Sequence, residues 1–92
     1  MIVGFRHKGL EALYMTGSAR GVQAAHAPKL SRILAALDAA ISPTELNQPS
    51  YKLHPLKGVL KGHWSIWVNG NWRVTFRFIG ANVELVDYQD YH

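Results

Sequence analysis

Apolar residues recur along this chain with a period that changes several times, and the changes mark out its elements. Ile2, Val3 and Phe5 form a short apolar run that predicts a first strand. Leu10, Leu13 and Tyr14 then recur at helical spacing, and Thr16-Gly17 supplies a stop. A second helix is predicted from the stripe Leu30, Ile33, Leu34, Leu37 and Ile41, with Pro28 suited to its first turn and Pro43 closing the run. From Ser42 to Gly62 neither helical nor strand period survives, because Pro43, Pro49, Pro55, Gly58 and Gly62 interrupt it. This stretch is expected to be loop-rich, with room for short helical turns or an edge strand. Long connections in compact domains commonly serve a function, which draws interest to His54 and Lys57.

Beyond Gly62 the period becomes two. Trp64, Ile66 and Val68 alternate, Asn69-Gly70 marks a hairpin turn, and Trp72, Val74, Phe76 and Phe78 alternate again. Gly80 marks another turn, and Val83 to Tyr88 reads as a last strand. The order β-α-α-β-β-β predicts a single α+β domain over residues 1–92, with two helices packed on one face of a twisted, mainly antiparallel sheet. If Trp72, Val74, Phe76 and Phe78 face the helices, alternation places Arg73, Thr75 and Arg77 on the opposite, open face. Trp64 and Trp72 share the core pattern, whereas Trp67 points the other way.

Composition sharpens this picture in two respects. No cysteine is present, which excludes disulfides, thiolate metal sites and cysteine nucleophiles. The opening apolar run is too short for a signal peptide or membrane span, so the chain is expected in the cytoplasm. Ten Lys and Arg against six Asp and Glu give a net charge of +4, which points to a polyanionic partner. Half of those basic residues (Lys52, Lys57, Lys61, Arg73 and Arg77) lie between Tyr51 and Arg77, together with His54 and His63, and no acidic residue interrupts them.

No phosphate-binding glycine loop, HExxH pair or dinucleotide fingerprint occurs, and the scattered histidines lack the companions of a metal site. What remains is a candidate cationic cleft drawing His54, Lys57 and Lys61 from the loop, Arg73 and Arg77 from the open sheet face, and Asp90, Tyr91 and His92 from the last residues, provided the loop reaches the sheet edge where the last strand lies. Such a cleft suits RNA cleavage. The substrate carries its own nucleophile, the 2′-hydroxyl, so the protein needs an acid, a base and charge stabilisation, without a cofactor. Each residue also has a structural role open to it: His54 before Pro55 as a turn residue, Arg77 as an ion-pair partner of Glu84 or Asp87. A non-catalytic RNA- or ribosome-binding protein, or a regulator that binds a protein partner, would use the same basic stretch.

The run Tyr51-Lys52-Leu53-His54-Pro55-Leu56-Lys57-Gly58 resembles a segment of HigB-type toxins, within the RelE superfamily. Trp64-Ser65-Ile66, Asn71-Trp72-Arg73-Val74-Thr75-Phe76 and Asp87-Tyr88-Gln89-Asp90-Tyr91-His92 match further blocks of that family in order, and Phe5-Arg6-His7-Lys8-Gly9-Leu10 fits its opening. The resemblance spans the chain. It implies a RelE-like α+β fold, metal-independent cleavage of messenger RNA in the ribosomal A site, and neutralisation by a HigA-type helix-turn-helix antitoxin, through which operator DNA is reached indirectly. The family's active-site positions fall on His54, Lys57, Arg73, Asp90, Tyr91 and His92. The resemblance implies proton transfer by His54 and His92, with help from Asp90, phosphate stabilisation by Lys57 and Arg73, and orientation of the base or backbone by Tyr91.

Overall fold

The structure is a computed structural model and describes residues 1–90; Tyr91 and His92 lie outside the described residues. Its elements are α1 (Lys8–Thr16), α2 (Ala27–Ala39), β1 (His54–Pro55), β2 (His63–Asn69), β3 (Trp72–Ile79) and β4 (Asn82–Asp90). Short 3-10 turns at Pro43–Leu46, Pro49–Tyr51 and Gly58–Leu60 punctuate the loop-rich stretch, and one at Ala24–His26 leads into α2. The strands form an antiparallel sheet in the order β1-β2-β3-β4. Leu10 and Leu13 of α1 and Leu30, Ile33, Leu34 and Leu37 of α2 join Ile66, Val74, Phe76, Val83 and Val86 in one core, so the expected α+β arrangement holds.

Local chemistry explains the helix ends. His7 caps α1 by accepting the Leu10 N–H on Nδ1 at 3.0 Å, and the Gly17 N–H closes the other end on Leu13 O. Pro28 sits in the first turn of α2, where its missing N–H costs no hydrogen bond. The stripe of α2 is shorter than its sequence suggests. Ala40 turns extended (ψ 141) and is buried, which throws Ile41 out of the helical period and leaves it 63% exposed.

The last strand departs from simple alternation. Thr75 pairs with Asp87 and Arg77 with Glu84, so Phe76 on β3 faces both Leu85 and Val86, a β-bulge with Leu85 at φ 55. The extra residue shifts the pleat by one, and Val83, Val86 and Tyr88 all turn to the core. Without it, Leu85, Asp87 and Gln89 would follow Val83 inward. The bulge also splits the predicted first strand, which survives as two isolated parallel bridges, Ile2 with Val83 and Phe5 with Val86.

The N-terminal segment is anchored a second time from α2. Asp38 accepts the Ile2 N–H at 3.0 Å and the Tyr14 hydroxyl at 2.7 Å. The Ile2 hydrogen bond, then the Tyr14 hydroxyl, hold its carboxyl below the usual carboxylate range, helped by the N-terminal charge against a smaller effect of burial. A depressed folded pKa contributes stability above the unfolded value, near ~3.9, and that contribution is lost as the pH falls through the folded value. Asp38→Ala strands both donors and is expected to lower stability by about 2 kcal/mol, roughly 10 °C in Tm. Thermal melts at neutral pH and near pH 3 check this, the difference between variant and parent shrinking at the acid end.

Candidate active site on the open sheet face

Cross-strand register arranges the face away from the helices into three rows. The central row runs His54, Ser65, Thr75 and Asp87 across β1 to β4. On one side lie Trp67, Arg73 and Gln89; on the other lie His63, Arg77 and Glu84. Paired residues share a face of the sheet, so His54 and Arg73 face the same way, two strands and one row apart, about 12 Å between Cα atoms at ~4.8 Å per strand and ~3.3 Å per residue.

The two arginines behave differently. Arg77 is tied to Glu84, through Nε at 2.8 Å and a second, closer contact from the terminal guanidinium nitrogen. Arg73 is half-buried between Trp67 and Gln89 and has no hydrogen bond or ion pair among the described residues. A partly desolvated charge without a partner is unfavourable in the free protein, and an anionic substrate supplies what it lacks. Its surroundings are hydrogen-bonded: Gln89 Nε2 donates to Thr75 Oγ1 at 3.0 Å and to Asp87 Oδ2 at 3.1 Å, and Asp87 Oδ1 accepts the Tyr88 N–H.

His54 is exposed on β1, its Nδ1 against the Lys52 carbonyl at 3.3 Å. Its cross-strand partner Ser65 is fully buried, as is Thr75 beyond it, and His63 in the next row is 7% exposed. Among the described residues, the Ser65 hydroxyl and both ring nitrogens of His63 find no hydrogen-bond partner. Lys57 is exposed just past β1. Among the described residues, His54 and Asp90 do not meet at one sheet edge. β1 and β4 are at opposite ends of the strand order, so His54 and Arg73 meet across the face instead. Asp90 pairs with Trp72 at the end of β4, and alternation starts its side chain on the Trp72 side, one residue beyond Gln89. Tyr91 and His92 lie outside the described residues.

Behind this end of the sheet, aromatic packing is dense. Trp72 stacks on Tyr88 with ring centroids 4.5 Å apart, and the Tyr88 hydroxyl is 2.5 Å from Nδ1 of the buried His26. Burial pushes the Tyr88 hydroxyl above the usual phenol range, against the opposing effect of the Gln23 N–H that it accepts.

Sequence reasoning overlooked Lys29 and named Lys52 only as part of the basic run; their ammonium groups lie 4.4 and 4.3 Å from the centroid of the Trp67 ring. Alternation signalled that Trp67 leaves the core, but nothing local signalled that α2 would reach it. The surface hollows lie elsewhere, one between α1 and α2 beside Asp38, the other around Leu53 and Trp64. The candidate site is an open surface, suited to a polymer. Among the described residues no three His, Asp or Glu side chains converge as a metal site, and no helix is long and apolar enough to cross a membrane.

A family model described as the RelE-like toxin HigB of type II toxin-antitoxin systems matches residues 3–92. The chain is 47% identical over 92 residues to Endoribonuclease HigB of Proteus vulgaris, covering 100% of both. Among solved structures, a YoeB/ParE toxin from Agrobacterium tumefaciens aligns with a TM-score of 0.59 at 19% identity, covering 100% of this chain and 99% of that one. This last likeness is one of fold.

Proposed function

The chain belongs to the HigB-like toxin family of type II toxin-antitoxin systems, and from that premise we propose that it is an endoribonuclease that cuts messenger RNA in the ribosomal A site. The observation that carries the reading is Arg73, a half-buried guanidinium without a partner among the described residues, on the same open face as His54. Family membership brings an antitoxin partner, for which we propose a HigA-type helix-turn-helix protein that also links the toxin to operator DNA. The place of action is the cytoplasm.

In the proposed reaction the 2′-oxygen attacks the adjacent phosphorus and the bond to the 5′-oxygen breaks, leaving a 2′,3′-cyclic phosphate and a 5′-hydroxyl. His54 and His92 exchange the two protons, with Asp90 assisting, since an imidazole can serve as either acid or base in proton transfer. Arg73 and Lys57 hold the non-bridging oxygens as negative charge builds on the phosphorane, and Tyr91 orients the base or backbone. Every group required is a side chain of this chain.

Incubation of the purified protein with message-programmed ribosomes and EDTA, with free message in parallel, tests the reading. Primer extension is expected to show cuts within the A-site codon in the programmed lane alone. Intact message on ribosomes that bind the protein would refute it.

A further inference from the structure

Lys29 from α2, Lys52 from the turn before β1 and Trp67 from β2 meet beside Arg73, outside the positions that family resemblance assigns to the active site. Both ammonium groups lie against one indole ring, at 4.4 and 4.3 Å from its centroid. The ring is fixed by its N–H, donated to Gly70 O at 2.9 Å, and Lys29 is fixed by donation to Ser50 O at 3.2 Å. Sharing a ring keeps the two charges within about 9 Å of each other, comparable to the Debye length at physiological ionic strength, so their repulsion is only partly screened. Arg32, three residues on from Lys29, adds to the same field. The charges that act on Lys29 are those of Arg32 and Lys52, both positive.

Two further features are unfavourable in the free protein. Lys52 stands at φ 47, in the left-handed region that lysine seldom adopts, and this backbone carries its side chain to Trp67. Partial burial draws the Lys29 ammonium below the ordinary lysine range, and the charges of Arg32 and then Lys52 push the same way. Cation–π contact with the ring offsets part of this, but an anion would relieve the crowding of charge directly. Strain and like charge gathered at one spot next to a reactive surface point to a ligand.

We propose that Lys29, Lys52 and the Trp67 ring form a phosphate subsite that grips the RNA backbone next to the scissile bond. Trp67 is the direct cross-strand partner of Arg73, so a strand whose reacting phosphate lies on Arg73 brings a flanking phosphate over the lysines. The ring holds two flexible ammonium groups in place, each with donors left for phosphate oxygens. The proposal deepens the endoribonuclease reading and rests on it for the identity of the polymer. The phosphate belongs to message or to ribosomal RNA, which the experiment separates.

The test measures affinity for a message oligonucleotide carrying 2′-O-methyl groups across the cleavage codon, so that it binds without being cut. Programmed ribosomes, vacant ribosomes and the free oligonucleotide form three arms, each over a range of salt. The variant is Lys29→Gln/Lys52→Gly, and Lys8→Gln/Arg20→Gln, exposed positions on and beyond α1, removes equal charge as a control. Loss of both lysine contacts to that phosphate is expected to weaken binding by roughly ten- to a hundredfold near 0.1 M salt and to flatten the log–log salt slope by about 0.7. The variant's Tm is expected to be no lower than the parent's, and the control to keep most of the parent's affinity. A loss shared by vacant ribosomes assigns the phosphate to ribosomal RNA; a loss confined to arms with message assigns it to message. Unchanged affinity and slope in every arm would overturn the subsite, whether or not antitoxin binding falls. Failure of the parent to cut unmodified message, with binding still sensitive to the lysine pair, would overturn the nuclease reading alone.

Discussion

Arg73→Ala is expected to abolish cleavage, by about 10³-fold or more, while the protein stays folded. The magnitude follows from removing a preformed charge from the position where negative charge develops, which commonly costs ~10²–10³ in rate. Arg73 also lies between Trp67 and Gln89 on the open face, so substrate placement suffers as well. Stability should not fall, because the guanidinium has no partner among the described residues to leave stranded and its removal relieves a partly buried charge. Arg73→Lys keeps the charge but loses the planar fork, and an intermediate rate is expected. Single-turnover cleavage on programmed ribosomes, read beside thermal melts, checks both. A folded Arg73→Ala protein that cuts at the parental rate would remove Arg73 from the mechanism.

Gly9→Ala is expected to have the opposite profile, a large loss of stability at a position remote from the chemistry. The start of α1 passes so close to the following loop that a Cβ on Gly9 would lie 2.4 Å from the Gly21 carbonyl oxygen, and one on Gly21 would lie 2.4 Å from the Gly9 Cα. Backbone has no rotamer by which to yield, so the helix or the loop must shift. Overpacking of this kind costs about 3 kcal/mol, roughly 15 °C in Tm for a domain of this size. Gly21→Ala should cost a similar amount. Because both changes break one contact, the double variant is expected to lose less than twice as much. Denaturant melts of the three variants decide the matter, and additive losses would argue for two separate sites of strain.

Strand alternation was the most legible feature of the sequence. It placed Val74 and Phe76 in the core and Arg73 and Arg77 on the open face, and the charge pattern anticipated the Arg77–Glu84 pair. It failed where a single residue changes the parity. Val83, Val86 and Tyr88 are too unevenly spaced for one pleat, and that unevenness is the only local trace of the bulge at Leu85. Ile41 misled for a similar reason, since nothing in the composition shows that Ala40 turns extended and ends the helical period. For the candidate site the sequence offered residues without their geometry. His54 and Arg73 share a face, yet they stand two strands apart, and His54 lies across the sheet from the strand that ends in Asp90. The Lys29–Trp67–Lys52 contact was beyond reach, because it joins three elements through tertiary packing alone.

The parallel bridges of Ile2 to Val83 and Phe5 to Val86 set a timetable for biosynthesis. Residues 2–5 are made some eighty residues before their β4 partners, about 4–16 s earlier at ~5–20 residues per second. Meanwhile the early segment has one nearer foothold, the Asp38 carboxylate that receives the Ile2 N–H. Arg73 and Gln89 come into register only when β4 adds to β3. On the proposed endoribonuclease reading, the emerging chain therefore carries its candidate cutting surface unassembled until β4 is added.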